Sequence, residues 1–154
     1  MKRASILLGL LLLSSVAAER HGCSSCDAAK ERMKCEYYVL KKGDIAQRSH
    51  CAAYAESIDV DGARGKAAWY FLLAGSPEKA LEAANLAVDQ GHTYALEYAA
   101  AAAMVLERKR EAKAYMRRLG NLPFDRERLL RDFERLERLY PGVSFVSTLL
   151  PHSL

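Results

Sequence analysis

Four cysteines lie within residues 23–51 and offer three kinds of chemistry. Cys23 and Cys26 form a CxxC pair, and Cys35 and Cys51 follow it. A CxxC pair just ahead of a helix is typical of a thiol-disulfide redox site, because the helix dipole lowers the pKa of a nearby thiolate. The same cysteines could instead bind zinc or form structural disulfides. Choosing among these depends on the cellular compartment and on where the chain turns.

Metal and cofactor chemistry is not favoured by the spacing of the ligands. Zinc would need His21, His50 or further cysteines, and their spacing fits no common zinc site. A c-type haem is excluded because Asp27, rather than histidine, follows the second cysteine of the pair. No Ser-His-Asp triad or carboxylate pair can be proposed from the remaining residues. We therefore expect no metal, no cofactor and no catalytic residue, with Cys23 and Cys26 as the redox alternative.

The start of the chain has the layout of a secretory signal peptide. Lys2 and Arg3 precede an apolar run from Ile6 to Leu13, and small residues follow up to Ala18. The apolar run is shorter than the roughly 20 residues that a membrane span needs. We predict cleavage of residues 1–18 and a periplasmic or secreted protein, in a compartment where paired cysteines persist as disulfides.

The mature chain is nearly neutral. The full sequence has 23 basic and 19 acidic residues, and two of the basic ones leave with the leader. This balance argues against nucleic acid as a partner. We expect membrane association only through partners, and no oligomeric state follows from the composition.

Internal similarity appears when the chain is shifted by 32 residues. The shift aligns Gly43 with Gly75, and Leu40 with Leu72 and Met104. Helical patterns interrupted by glycine, proline and aspartate agree with this period, and nothing alternates like a strand. The predicted helices are 27–41, 44–57, 62–74, 77–90, 93–107, 109–119 and 125–139. Short linkers predict three hairpins, at 27–57, 62–90 and 93–119.

The segment GKAAWYFLLAGSPEKALEAANLAVDQGHTYALEYA, residues 65–99, resembles the tetratricopeptide repeat and the related Sel1-like repeat. The resemblance implies an all-α solenoid of αα-hairpins with a concave face that binds a protein or peptide. The segment departs from these families in two ways. Its period of 32 residues is shorter than theirs, and Trp69 is not at the usual tryptophan position of the tetratricopeptide repeat. Some secreted, cysteine-rich Sel1-like proteins are linked to binding of cell-wall precursors or β-lactams, which is a weaker implication of the resemblance. This chain lacks the regular cysteine spacing of those proteins.

The hairpin register predicts how the cysteines pair. If helices 27–41 and 44–57 turn at Lys42 and Gly43, Cys35 faces Cys51. Alanine occupies the corresponding positions in the next repeat, so the helices can approach closely enough for a disulfide. Cys23 and Cys26 are left for each other on an N-terminal arm, residues 19–26. A redox role for them is disfavoured because no strand can precede them, yet it remains the alternative function.

Two charged helices follow the repeats. Residues 107–118 concentrate positive charge. Such a cluster can bind an acidic partner, an anionic lipid or a cell-wall polymer. We favour the alternative that it is the solvated outer face of a helix. Residues 125–139 are amphipathic and are predicted to be a capping helix that seals the solenoid. The tail, residues 143–154, is expected to dock on the core or to engage a partner.

The predicted binding surface is the concave face formed by the first helix of each pair. Exposed aromatic side chains there would anchor a peptide, although we expect about half of them to be buried. The sequence thus predicts an exported, disulfide-stapled αα-repeat protein that binds a protein or peptide as an assembly or accessory factor in the cell envelope. The candidate binding residues are Tyr37, Trp69, Tyr70, Tyr94, Glu97 and Tyr98.

Overall fold

The computed structural model of the protein describes residues 24–153, and these residues are almost entirely helical with no β-strand. The predicted signal peptide, Cys23 and His21 lie outside the described residues. No helix of the described part is long and apolar enough to cross a membrane. The all-α class predicted from the sequence is confirmed.

Eight α-helices and four shorter helical segments follow one another between residues 24 and 153. The α-helices are α1 (Ser24–Lys34), α2 (Arg48–Ile58), α3 (Arg64–Leu73), α4 (Pro77–Asp89), α5 (Leu96–Val105), α6 (Lys109–Gly120), α7 (Arg126–Leu139) and α8 (Phe145–Leu149). A π-helix, Cys35–Lys41, continues α1, and 3₁₀ turns cover Ile45–Gln47, Thr93–Ala95 and Leu150–Ser153.

Each of the seven predicted helical stretches contains an α-helix, but the first differs in its start and in its geometry. Ser24 to Cys26 belong to α1 rather than to the predicted N-terminal arm, and Asp27 in the first turn suits the positive end of the helix dipole. The second half of the stretch is the π-helix Cys35–Lys41, which contains no glycine or proline that would have predicted it. Both Cys35 and Val39 nevertheless face the core.

Helices α1 to α6 each contact their neighbours in the chain, as the short linkers predict. The first hairpin is closed covalently: Sγ of Cys35 lies 2.06 Å from Sγ of Cys51, with their α-carbons 4.8 Å apart. The predicted pairing of these two cysteines is therefore confirmed. Both are fully buried between α2 and the π-helix.

Left-handed backbone recurs at the turn inside each hairpin. Gly43, Gly75 and Glu107 have φ values of 70°, 75° and 61°, and they are spaced by 32 residues. Glycine adopts this conformation at little cost, whereas glutamate is strained in it. The third turn therefore keeps the geometry of the first two without their residue.

The hydrogen bonds at these turns are also related. The amide of Ser76 donates to the carbonyl of Phe71 at 2.9 Å, and the amide of Arg108 donates to that of Ala103 at 2.8 Å. In the first hairpin the bond is one residue longer, from Asp44 to Tyr38, because the π-helix precedes the turn. Such bonds satisfy carbonyl groups that the helix end leaves without partners.

Helix α5 is the centre of the fold. Ala99 to Ala103 are all fully buried, so this helix is enclosed on every side rather than on one inward face. It packs against α3, α4 and α6, and its small side chains let these neighbours approach closely. Alanine also has the highest helix propensity, which supports α5 although it has no polar face.

The sequence suggested that helix α7 seals the end of the array, but it does not. Helix α7 packs against α3 and α8, and its own Leu129, Phe133 and Leu136 are buried in that contact. The tail takes the end position instead, because α8 and Leu150–Ser153 cover α6. Phe145 and Leu149 are fully buried, so the expectation that the tail docks on the core is met.

Candidate functional site: an aromatic cleft beside a buried ion pair

The six predicted binding residues fall into three groups. Tyr70 and Glu97 are buried, and Trp69 and Tyr98 are half-buried. Tyr37 and Tyr94 keep 46% and 40% of their surface exposed, so these two can contact a partner directly.

Four aromatic side chains form a continuous row from α3 to the turn before α5. The ring of Trp69 lies 5.7 Å from that of Tyr98, which lies 6.3 Å from Tyr94. His92 ends the row, 6.0 Å from Tyr94. These distances lie in the range that aromatic pairs prefer, and Tyr94 and Tyr98 meet edge to face. The exposed Tyr94 ring therefore packs against the half-buried Tyr98, which in turn packs against the half-buried Trp69.

A glycine makes room for the exposed tyrosine. A Cβ atom added to Gly65, at the start of α3, would lie 2.5 Å from the hydroxyl oxygen of Tyr94. No side chain fits there unless the tyrosine moves. Gly65 thus fixes where the end of the Tyr94 side chain rests.

An ion pair lies next to the aromatic row. The Arg128 guanidinium donates two hydrogen bonds to the Glu97 carboxylate, at 2.6 and 2.8 Å. Glu97 is 1% exposed, whereas the Arg128 side chain is 36% exposed. The same arginine also lies 3.4 Å from Asp132, which accepts a further hydrogen bond from Arg135. This pair ties α7 to the central helix.

Burial raises the pKa of the Glu97 carboxyl above its usual range, and the hydrogen bonds from Arg128 act in the opposite direction. Burial likewise raises the pKa of the neighbouring Tyr98 hydroxyl. Two charge-assisted hydrogen bonds hold Glu97 ionised in the folded protein. The site therefore contains a satisfied buried charge rather than a free acid or base.

A cleft of about 350 Å³ opens between the turn before α5 and the start of α7. It is lined by His92, Tyr94 and Glu97 from the α5 side, and by Phe124 and Arg128 from the α7 side. We call this space, together with the row of four rings, the aromatic cleft. Its lining combines apolar ring surface with a few polar groups, which is typical of a ligand-binding site.

Tyr37 lies away from the aromatic cleft, on the first hairpin. Its ring packs against Tyr38 at 5.1 Å, and the amino groups of Lys41 and Lys42 lie 5.7 and 5.6 Å from its centre. The hydroxyl of Tyr70 donates to Glu36 at 2.6 Å, and this bond anchors the first hairpin to α3. The structure therefore does not bring all six predicted residues into one surface.

Part of the predicted binding face is covered by the protein itself. The hydroxyl of Tyr140 donates to the carbonyl of Leu72 on α3, and the Arg48 side chain donates to the carbonyl of Leu139 at 2.7 Å. The Arg48 guanidinium also stacks over the Tyr140 ring at 4.9 Å. Helix α7 therefore occupies a face of α3 that a partner would otherwise contact.

The cysteine and histidine candidates remain dispersed. Cys26 is exposed in the first turn of α1, while the other half of the CxxC pair lies outside the described residues. Nδ1 of His50 lies 2.5 Å from Oε2 of Glu31, and the imidazole ring stacks on Tyr38. No group of three metal-ligating side chains occurs within residues 24–153. The redox alternative stays a prediction.

Arg128 and Asp132 are site residues that the sequence analysis missed. Glu97 is the only charged residue in α5, a helix that is otherwise apolar apart from Tyr98. A buried carboxylate requires a positive partner, so this isolated acid was the available signal. It predicts that some arginine or lysine must reach α5, although it does not say which one.

Comparison with protein-family models, with curated proteins and with solved structures finds no match to this chain. The class that the fold defines is an all-α protein whose first six helices pack in chain order.

Proposed function

We propose that this protein is an exported αα-hairpin repeat protein, related to the tetratricopeptide and Sel1-like repeats, that binds a segment of another protein in the aromatic cleft. It acts in the periplasm or outside the cell as an assembly or accessory factor. The observation that carries the proposal is the exposed Tyr94 ring at the mouth of the cleft.

Three features support the repeat architecture. The hairpins contact one another in chain order, and their turns place left-handed residues at Gly43, Gly75 and Glu107. The disulfide between Cys35 and Cys51 closes the first hairpin, which has a neighbour on one side only. A disulfide at this position also agrees with export, because oxidising compartments preserve such bonds.

Tyr94 is suited to recognition for two reasons. Its ring is exposed, while Tyr98 and Gly65 limit its movement, so little side-chain entropy is lost when a partner binds. Tyrosine and tryptophan are also the residues most often found at the energetic centres of interfaces.

The cleft indicates what kind of segment it accepts. Its charged groups are already paired: Glu97 with Arg128, and Asp125 with the backbone amide of Arg128 at 2.9 Å. Phe124 and Tyr94 both line the cleft and supply its aromatic surface. An extended segment with one aromatic or large aliphatic side chain is therefore the expected ligand.

The test is affinity capture from cells that express the protein naturally, followed by fluorescence titration of each captured protein. Trp69 is the only tryptophan of the chain and belongs to the aromatic row, so its emission reports on the cleft. Tyr94→Ser should weaken binding of the partner at least tenfold. The matched control is Tyr37→Ser, which removes a tyrosine of similar exposure on the first hairpin.

Equal affinity of wild-type protein and Tyr94→Ser would contradict the proposal. So would loss of binding in Tyr37→Ser alone, which would locate the interaction on the first hairpin. Circular dichroism of each variant must show the wild-type helix content, so that a change in affinity reports on contact rather than on folding.

A further inference from the structure

We infer that helix α6 binds an anionic phospholipid surface through its outward face. Five basic residues and one acidic residue lie in Lys109–Gly120, whereas the rest of the chain carries 18 of each sign. The entire net positive charge of the protein is therefore concentrated in twelve residues. This inference is independent of peptide binding in the aromatic cleft, and it replaces the two sequence-based expectations of a merely solvated face and of membrane association only through partners.

The helix presents this charge in one direction. Ala112, Met116 and Leu119 face the core and are buried. With 3.6 residues per turn, the opposite side of α6 carries four basic residues that surround Ala114. We call it the basic face; it consists of Arg110, Lys113, Arg117 and Arg118.

These four side chains have no acidic partner within residues 24–153. Among the ion pairs of that part of the chain, the one that reaches α6 joins Glu111 to Arg108, a residue just outside the helix, at 3.8 Å. Arg110, Arg117 and Arg118 are exposed, and Lys113 is partly so. The charge of the basic face is therefore available to an external anion.

Helix α7 shows what an ordinary solvated face of this protein looks like. It also carries five arginines, but four acidic residues are interspersed with them. Arg131 pairs with Glu127 at 3.8 Å, and Arg135 pairs with Asp132 at 3.0 Å. Single-sign charge is therefore not a general property of the surface helices in this chain.

The arrangement on α6 also works against the stability of the helix. Lys113 lies four residues from both Lys109 and Arg117, and like charges at this spacing repel. Lys109 and Arg110 additionally occupy the positive end of the helix dipole, where acidic residues are favoured. Arg117 and Arg118 in the last turn suit the negative end of the dipole, but folding gains nothing from the basic residues of the first turn or from the repulsion around Lys113. An external ligand is the better explanation of that part of the pattern.

The chemistry of the basic face favours a lipid surface over a protein. Ala114 is the one apolar residue at its centre, and Tyr115 is half-buried with its hydroxyl bonded to Asn85 at 2.8 Å. Tryptophan, tyrosine and arginine are the residues enriched at the energetic centres of protein interfaces, and this face offers arginine without an aromatic anchor. Arginine pairs well with phosphate, and clusters of four or more basic residues on an amphipathic helix are typical of contact with anionic lipid headgroups.

Vesicle co-sedimentation tests the inference with protein expressed from its full sequence. The wild type should bind vesicles of phosphatidylglycerol and phosphatidylcholine, should not bind phosphatidylcholine alone, and should be released at about 0.5 M salt, where charges are screened within a few ångströms. Arg110→Gln combined with Arg117→Gln should lower the partition coefficient about 30-fold, at roughly fivefold per neutralised residue.

The matched control is Arg131→Gln combined with Arg138→Gln, which removes the same charge from exposed positions on α7. All variants share one N-terminus, so any contribution of the leader cancels. An equal loss in both double variants would overturn the inference, as would salt-resistant binding. Tighter binding of the wild type to an acidic protein or to DNA than to the anionic vesicles would overturn the choice of a lipid surface.

Discussion

Glu97 and Arg128 are 31 positions apart in the chain and are joined by two hydrogen bonds of 2.6 and 2.8 Å. This pair connects the central helix α5 to α7 and forms part of the wall of the aromatic cleft. It therefore links the stability of the fold to the shape of the candidate site.

Removal of the arginine alone should destabilise the protein strongly. Arg128→Leu leaves the buried Glu97 carboxylate without its positive partner, and we expect the free energy of unfolding to fall by about 3 kcal/mol. Glu97→Leu combined with Arg128→Leu should recover most of that loss, because the buried Glu97 carboxylate is then gone and Asp132 keeps its hydrogen bond from Arg135. Urea unfolding of the two variants measures the difference, and equal losses would contradict this account of the pair.

The loss in Arg128→Leu should also depend on pH. Without the arginine, burial remains the largest influence on the Glu97 carboxyl and only a hydrogen bond from Tyr98 opposes it, so its folded-state pKa rises further above the ordinary value of 4.5. The folded state then holds a proton that the unfolded state releases, and stability falls as pH rises between the two pKa values. The deficit relative to wild type should therefore be smaller at pH 4 than at pH 7. A deficit that does not change over this interval would show that Glu97 is not the cause.

Reduction of the disulfide between Cys35 and Cys51 should weaken the first hairpin. Closing a loop of this length contributes about 3 kcal/mol, chiefly by restricting the unfolded chain. Urea unfolding with and without reductant measures the contribution. The double variant Cys35→Ala with Cys51→Ala is the control. It has no disulfide to lose at these positions, so its urea unfolding midpoint should be the same with and without reductant.

Glutamate at position 107 is strained, so its replacement should stabilise the protein. Glu107 adopts the left-handed conformation that Gly43 and Gly75 adopt at the equivalent turns. Glu107→Gly should raise the free energy of unfolding by about 1 kcal/mol, because relief of the strain exceeds the added entropy of the unfolded chain. Glu107→Ala removes the same side chain and keeps the strain, so it should give no comparable gain.

Gly65→Ala should alter the cleft without unfolding the protein. The new methyl group must displace the Tyr94 hydroxyl, while alanine improves helix propensity by about 1 kcal/mol and offsets the cost. We expect a changed Trp69 emission and weaker partner binding at nearly unchanged stability. In a Tyr94→Ser background the same substitution should have no further effect on emission or binding, which separates displacement of the ring from other causes.

Local pattern was enough to predict the seven main helices and the disulfide. Helix starts such as Ser76-Pro77 and turn glycines such as Gly75 mark boundaries directly in the sequence. Cys35 and Cys51 face each other once the turn at Gly43 is located, because register within a hairpin follows from the loop.

The position of α7 could not be predicted in the same way. Its apolar stripe shows that one face must be buried but does not say against which helix, and the repeat pattern suggested the end of the array. The answer depends on distant pairs, Arg128 with Glu97 and Tyr140 with Leu72. The π-helix after Lys34 escaped prediction as well, since its residues fit an ordinary helix equally well.

Site-specific photo-crosslinking from position 94 tests the central claim most directly. A photoreactive phenylalanine analogue placed there, in cells that naturally express the protein, should capture one discrete protein. The same analogue at position 86, an exposed site on α4, should not capture it, and excess unmodified protein should compete the product away. Absence of any product at position 94, or the same products from both positions, would contradict binding in the aromatic cleft.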